Sequence, residues 1–153
     1  MARTHTLERI QEIPRPCAEV FAFFASAKNL TRLTPPFVRM EFRRPPPDEL
    51  EVGTLIDYRL RLYGVSFDWQ TRIESMDRGR SFSDSQVIGP YRRWHHLHEF
   101  AEAPGGGTRM RDVVTYELPL GPLGELARWL MVRRQLDAIF DYRQAQTDQI
   151  FRT

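Results

Sequence analysis

The clearest signal in the chain is an alternation that begins at Ile56. Ile56, Tyr58, Leu60 and Leu62 fall on one side, with Asp57, Arg59 and Arg61 on the other, the period-two pattern of a half-buried strand. Val65, Phe67, Trp69, Thr71 and Ile73 then alternate against Ser66, Asp68, Gln70, Arg72 and Glu74. A two-residue turn at Tyr63-Gly64 pairs Leu62 with Val65, Leu60 with Phe67 and Tyr58 with Trp69, so every apolar member lands on one face.

Weaker signals divide the rest. Residues 4–13 carry mixed alternation and read as a first strand, stopped by Pro14 and Pro16. Pro16 suits the first turn of a helix over Cys17–Ala25. Val20, Phe21, Phe23 and Phe24 make that helix too apolar for a surface position, and Phe21 and Phe24 are expected to fill the narrow end of a sheet. Ser26 can cap a second short helix through Leu33, ended by Pro35-Pro36. Strands are expected at Val38–Arg43, Arg80–Ile88, Tyr91–Ala101 and Thr108–Leu118, separated by Pro- and Gly-bearing loops. Pro119, Gly121 and Pro122 break the last of them. Leu126, Leu130, Ile139, Phe140 and Ile150 then sit at helical spacing in one long helix, Leu123–Phe151.

This order is a strand, two short helices, six or so consecutive antiparallel strands and a long C-terminal helix. It describes an α+β domain over residues 1–153 in which the helix covers the apolar face of the sheet. At this point the chain resembles the START-like, or SRPBCC, superfamily with the helix-grip fold. The marks are Ile13-Pro14-Arg15-Pro16 before Val20-Phe21-Ala22-Phe23, and Asn29-Leu30 followed by Pro35-Pro36. Others are Gln86–Tyr91, Trp94–Phe100, and Gly107-Thr108 with Asp112–Tyr116. It looks most like small bacterial members described as polyketide cyclase/dehydrase-like or lipid-transport-like. The resemblance implies a curved sheet of six to seven strands around the helix, with a cavity between them for an apolar or aromatic small molecule.

Three of the four histidines lie in Trp94-His95-His96-Leu97-His98. On a strand, Trp94, His96, His98 and Phe100 share one face, and the flanking aromatics suggest that it points inward. A glycine-rich loop centred near Gly105 sets His98 opposite Asp112, His96 opposite Val114 and Trp94 opposite Tyr116. Asp84 and Gln86 join this side only if the turn after Ile88 has three residues. A two-residue turn at Gly89-Pro90 would bring His95 beside them instead. The expected lining of the cavity is therefore Ile56, Tyr58, Leu60, Phe67, Trp69, Asp84, Gln86, Trp94, His96, His98, Phe100, Met110, Asp112, Val114 and Tyr116, with Leu126 and Leu130 as a lid.

Three chemistries compete for His96, His98 and Asp112. Two histidines and a carboxylate are a known iron or zinc set, but no third histidine or helix-borne carboxylate completes it, and no metal or other cofactor is expected. A histidine oriented by an aspartate could move a proton in an aldol cyclisation or dehydration. The blander reading is a hydrogen-bonded network that holds the sheet in register and orients a ligand oxygen. Binding or transport of a hydrophobic small molecule is the leading expectation. A His–Asp cyclase, aromatase or dehydratase and a regulatory interaction module are the alternatives.

Composition narrows the partners. The chain has 153 residues, a net charge of +2, and Lys28 as its only lysine among 22 basic residues. The arginines are dispersed among acids, which argues against nucleic-acid binding. Cys17 alone forms no internal disulfide and suits a reducing compartment. No apolar run approaches the roughly 20 residues of a membrane span, and the N-terminus lacks a signal-peptide core, so a cytoplasmic location is expected. An exposed patch at Trp129 and Val132 would mark a homodimer or membrane-surface contact.

Overall fold

A computed structural model describes residues 3–62 and 64–152. The alternation from Ile56 becomes strands β3 (Leu55–Leu62) and β4 (Val65–Asp77). Their register is Leu62 to Val65, Leu60 to Phe67 and Tyr58 to Trp69, as the turn length required. Gly64 takes the positive φ of 76° that a tight hairpin turn needs, whereas Tyr63 lies outside the described residues. Trp69, Thr71 and Ile73 are buried on the inner face. A bulge between Ile73 and Ser75 then shifts the register.

Seven strands form one antiparallel sheet in the order β1-β7-β6-β5-β4-β3-β2. The others are β1 (His5–Ile13), β2 (Met40–Phe42), β5 (Ser81–Ile88), β6 (Arg93–Glu102) and β7 (Thr108–Glu117). The first strand returns to pair with the last, Leu7 opposite Val114 and Gln11 opposite Met110. Strand β2 is shorter than the expected Val38–Arg43, because Arg39 adopts φ 47° and Val38 turns inward and is buried. Tyr91 likewise stays in the loop before β6.

Helix α1 (Cys17–Phe24) starts after Pro16, which occupies the N-cap. A 3-10 turn (Ala27–Asn29) and α2 (Leu30–Leu33) follow. Ser26 precedes the turn in extended conformation without making a capping hydrogen bond. The joint is held instead by Asn29, whose Nδ2 donates to the Phe23 carbonyl over 3.0 Å.

The C-terminal helix covers 31 residues as α3 (Gly121–Ala127), a π-helical turn (Arg128–Val132) and α4 (Arg133–Phe151). Pro122 lies in its first turn rather than before it, where a missing N–H leaves no bond unmade. Among the described residues no helix is long and apolar enough to cross a membrane.

The apolar residues gather in three clusters. Ile13, Val20, Phe21, Phe24, Phe82, Phe100, Met110 and Phe151 close one end of the sheet against α1 and the end of α4. Val114, Tyr116, Leu136 and Phe140 join β7 to the start of α4, and Val132 packs on them. Ala27, Leu50, Ile56 and Ile73 make the third. Burying each large side chain contributes about 1.5–3 kcal/mol.

The mixed alternation of β1 has a cause in the fold, since its inward side meets a polar flank of α4. Arg9 reaches Asp141 (2.6 Å), Asp137 (3.2 Å) and Gln144 (3.0 Å). Gln11 Nε2 donates to the Gln144 carbonyl and to Asp148, both at 2.9 Å.

Candidate functional site

A cavity of about 200 Å³ lies between the sheet and the C-terminal helix. Its lining is largely aromatic and aliphatic. Tyr58 and Trp69 stack with centroids 6.1 Å apart, Trp94 meets Trp69 edge-on at 5.5 Å, and Tyr91 lies 4.8 Å from Trp94. Leu136, Ile139 and Phe140 face them from α4, and Leu30, Leu33 and Val38 from the α2 region. Thr71 holds this wall in place, receiving the Trp69 Nε1 proton over 3.0 Å and lying 3.3 Å from the Tyr58 hydroxyl. Burial pushes the Tyr58 and Tyr91 phenols above their ordinary pKa, so both stay neutral.

Four ionisable side chains, Asp84, His96, His98 and Arg143, interrupt the apolar lining. Pairing of β5 with β6 sets Asp84 opposite His96 and Phe82 opposite His98, the parity that a three-residue turn would give. The loop between them is longer, because Gln86 turns back to Tyr91. Its Nε2 donates to the Tyr91 carbonyl (2.7 Å) and its Oε1 accepts from the Tyr91 N–H (3.1 Å).

Strand β7 sets Asp112 opposite His98, Val114 opposite His96 and Tyr116 opposite Trp94, as the loop at Gly105 required. Asp112 lies behind the histidines, its side chain only 4% exposed. His96 Nε2 donates to Asp112 Oδ1 over 2.9 Å, and His98 Nε2 donates to Asp84 Oδ2 over 2.9 Å. His98 Nδ1 lies 3.2 Å from Asp112 Oδ1, close enough for attraction but off the line of a directed hydrogen bond. The two imidazoles stack at 3.7 Å, and Phe82 covers the other face of His98 at 4.2 Å.

The two imidazoles are shifted in opposite directions. Burial, reinforced by the neighbouring His98, lowers the His96 pKa to about 4. Burial pulls His98 down as well, but attraction to Asp112 and Asp84 outweighs it and holds this ring above its ordinary value. For Asp84, burial opposes ionisation, yet His98 keeps the carboxyl below its usual range. Burial also opposes ionisation of Asp112, where Arg143 and the two histidines prevail and hold it well below. The cluster thus sets two ionised carboxylates, Asp84 and Asp112, beside the Arg143 guanidinium and the two imidazoles.

As metal ligands, Asp84, His96 and His98 can bring one donor atom each within 4.8 Å of one another. The carboxylate of that set is Asp84 rather than Asp112. Seating an ion there would require opening the His98–Asp84 hydrogen bond and turning the stacked rings.

The other anticipated residues are placed as follows. Ile56, Leu60, Tyr58, Trp69 and Trp94 line the cavity. Phe100 and Met110 lie in the end cluster, and Val114 and Tyr116 beneath Leu136 and Phe140. Phe67 is half-buried near the hairpin, and Gln86 serves its loop. Leu126 and Leu130 are 52% and 53% exposed and do not close the cavity, and Trp129 beside them is 65% exposed. Leu126 precedes a π-turn at Arg128–Val132, and Trp129 and Leu130 lie within it, ahead of the α4 stripe that does.

Arg143 was not anticipated. It had a signal, since Leu136, Phe140, Arg143, Thr147 and Phe151 form one buried stripe of α4 at spacings of three and four residues. A cation within such a stripe points to the interior.

Known proteins share this architecture. The Zhui aromatase/cyclase from a Streptomyces species superposes with a TM-score of 0.71 at 14% identity, covering 95% of this chain and 92% of its own. A norcoclaurine synthase mutant from Thalictrum, solved with a transition-state analogue, gives 0.67 at 13% identity, covering 97% of each chain. The Thermus thermophilus protein TTHA0849 gives 0.67 at 19%, covering 94% of this chain and 97% of its own. A search of curated proteins by sequence finds no match. At these identities the likeness is one of fold. The family model described as polyketide cyclase / dehydrase and lipid transport matches residues 13–140. The chain therefore belongs to that family, and its sheet wrapped on a long helix is the helix-grip fold.

Proposed function

We propose that the protein binds a small hydrophobic molecule of one or two rings in the cavity between sheet and helix. The observation that carries this reading is a concave space between sheet and helix with an aromatic wall and a buried His–Asp cluster, the usual construction of a small-molecule site. Its size limits the guest. About 200 Å³ falls short of the ~300 Å³ where drug-sized pockets begin. Native mass spectrometry of the purified protein should show a bound aromatic or short-chain metabolite. Ala27 is buried and faces the cavity, so Ala27→Leu should lower its occupancy at least about tenfold through lost volume. An unchanged occupancy would place the guest elsewhere.

A second reading, a cyclase or dehydratase, is favoured by the adjacent His96 and His98, each bonded to a carboxylate and shifted in pKa in opposite directions. Paired groups whose pKa values are pushed apart are how one site supplies both acid and base. In a dehydration, neutral His96 would take the proton α to a carbonyl while His98 protonates the departing hydroxyl, which leaves as water. The similarity to an aromatase/cyclase supports this class. Once a substrate is identified, His98→Ala should abolish its turnover while leaving its binding within a few-fold. Retained turnover would exclude His98 as the acid.

A further inference from the structure

We propose that the guest is an uncharged aryl ketone, or an ester of the same shape, whose carbonyl oxygen is received by the guanidinium of Arg143. The inference rests on the binding reading above and names the chemistry of its ligand.

Arg143 is only 9% exposed and projects from α4 into the cavity. Among the described residues its guanidinium makes no hydrogen bond. The nearest carboxylate oxygen, Asp112 Oδ1, lies 3.8 Å from Nη2, beyond hydrogen-bond reach. Nε is buried without a partner. Phe24 lies under the cation at 5.1 Å, which stabilises its charge and supplies no acceptor. Interior donors are almost always paired, and a guanidinium has five to satisfy. One oxygen of each nearby carboxylate already accepts from a histidine, Asp84 Oδ2 from His98 and Asp112 Oδ1 from His96. The missing acceptor is therefore sought on the guest.

The charges of the cluster decide which acceptor. Asp84 and Asp112 already place two carboxylates at the site, so a carboxylate guest would add a third negative charge beside them, whereas a carbonyl adds none. Tyr58, Trp69, Tyr91 and Trp94 offer the faces and edges on which an aromatic ring packs.

Equilibrium dialysis at pH 8 with three probes of one shape tests this: 2-acetylnaphthalene, 2-ethylnaphthalene and 2-naphthoate. The intact protein should prefer the ketone to the hydrocarbon by at least about tenfold, the yield of one charge-assisted hydrogen bond, and should bind the carboxylate more weakly than the ketone. In Arg143→Met the ratio of ketone to hydrocarbon affinity should shrink to less than about twofold. Arg143→Lys, which keeps the charge on Asp112 but loses the planar fork, should reduce the preference and serves if the methionine variant does not fold.

A preference that survives both substitutions would make Arg143 a counter-charge for Asp112 and overturn the proposal, as would equal binding of ketone and hydrocarbon by the intact protein. Tighter binding of 2-naphthoate would overturn the uncharged class. Failure of both neutral probes to bind would instead remove the binding reading itself.

Discussion

His98 on β6 donates its Nε2 proton to Asp84 on the adjacent β5 over 2.9 Å, while Asp112 on β7 approaches its other nitrogen at 3.2 Å. One imidazole is thus held between carboxylates from both neighbouring strands, which explains a raised pKa in so dry a place. Asp84→Asn keeps an acceptor and removes one of those charges. The His98 pKa should then fall toward or below 6.5, as followed by NMR titration of the ring. A value that does not move would mean that Asp112 alone sets its charge.

Asp112→Asn removes the charge shared by His96, His98 and Arg143. Stranding buried cations costs about 3–5 kcal/mol, so the variant should lose several kcal/mol in urea unfolding at pH 7. A loss under about 1 kcal/mol would show the cluster to be much wetter than its burial indicates.

Stability should be greatest near neutral pH and fall on both sides. The folded protein keeps His96 neutral down to about 4, while the unfolded chain takes up a proton near 6.5. Stability is therefore lost as pH drops from 6.5 towards 4, by about 3 kcal/mol at most from this residue. His98 has the opposite sign. Its raised pKa contributes fully below 6.5, and that contribution disappears as pH rises through the folded value. Asp84 and Asp112 are held below 3.8 and contribute above it, so their share is lost only as the pH falls further. Unfolding midpoints at pH 5, 6.5 and 8 follow the first two limbs, and His96→Gln should flatten the one between 6.5 and 4.

Gly124 in the first turns of the C-terminal helix has no room for a side chain. A Cβ there would lie 1.9 Å from the Pro119 carbonyl oxygen, part of the backbone that leads in from β7. Gly124→Ala should cost about 1–3 kcal/mol through overpacking, although alanine is the better helix former by about 1 kcal/mol. Thermal unfolding reads the sign directly, and a stabilised variant would contradict the packing.

Local pattern determined much of this architecture. Strict alternation with a two-residue turn left one register for β3 and β4, because a slip by one residue would have turned Trp69 and Ile73 to solvent. Alternation also set Trp94, His96, His98 and Phe100 on one side of β6, and the loop at Gly105 carried His98 to Asp112. The sheet's closure by β1, the shortened β2 and the start of the long helix at Gly121 depended on pairings and backbone angles that span distant residues.

Tertiary structure alone decided which inward residues face empty space and which are packed solid. Trp69 and Phe100 read alike in a one-dimensional pattern, yet the first lines the cavity and the second fills the end cluster. The parity of the β5–β6 loop was likewise settled by Gln86 gripping Tyr91, a contact between a side chain and a remote backbone that spacing does not encode. Arg143 shows both sides of the division. Its place in the helical stripe was written in the order of residues, but its unmet donors and the His–Asp cluster around them exist only where α4, β5, β6 and β7 converge.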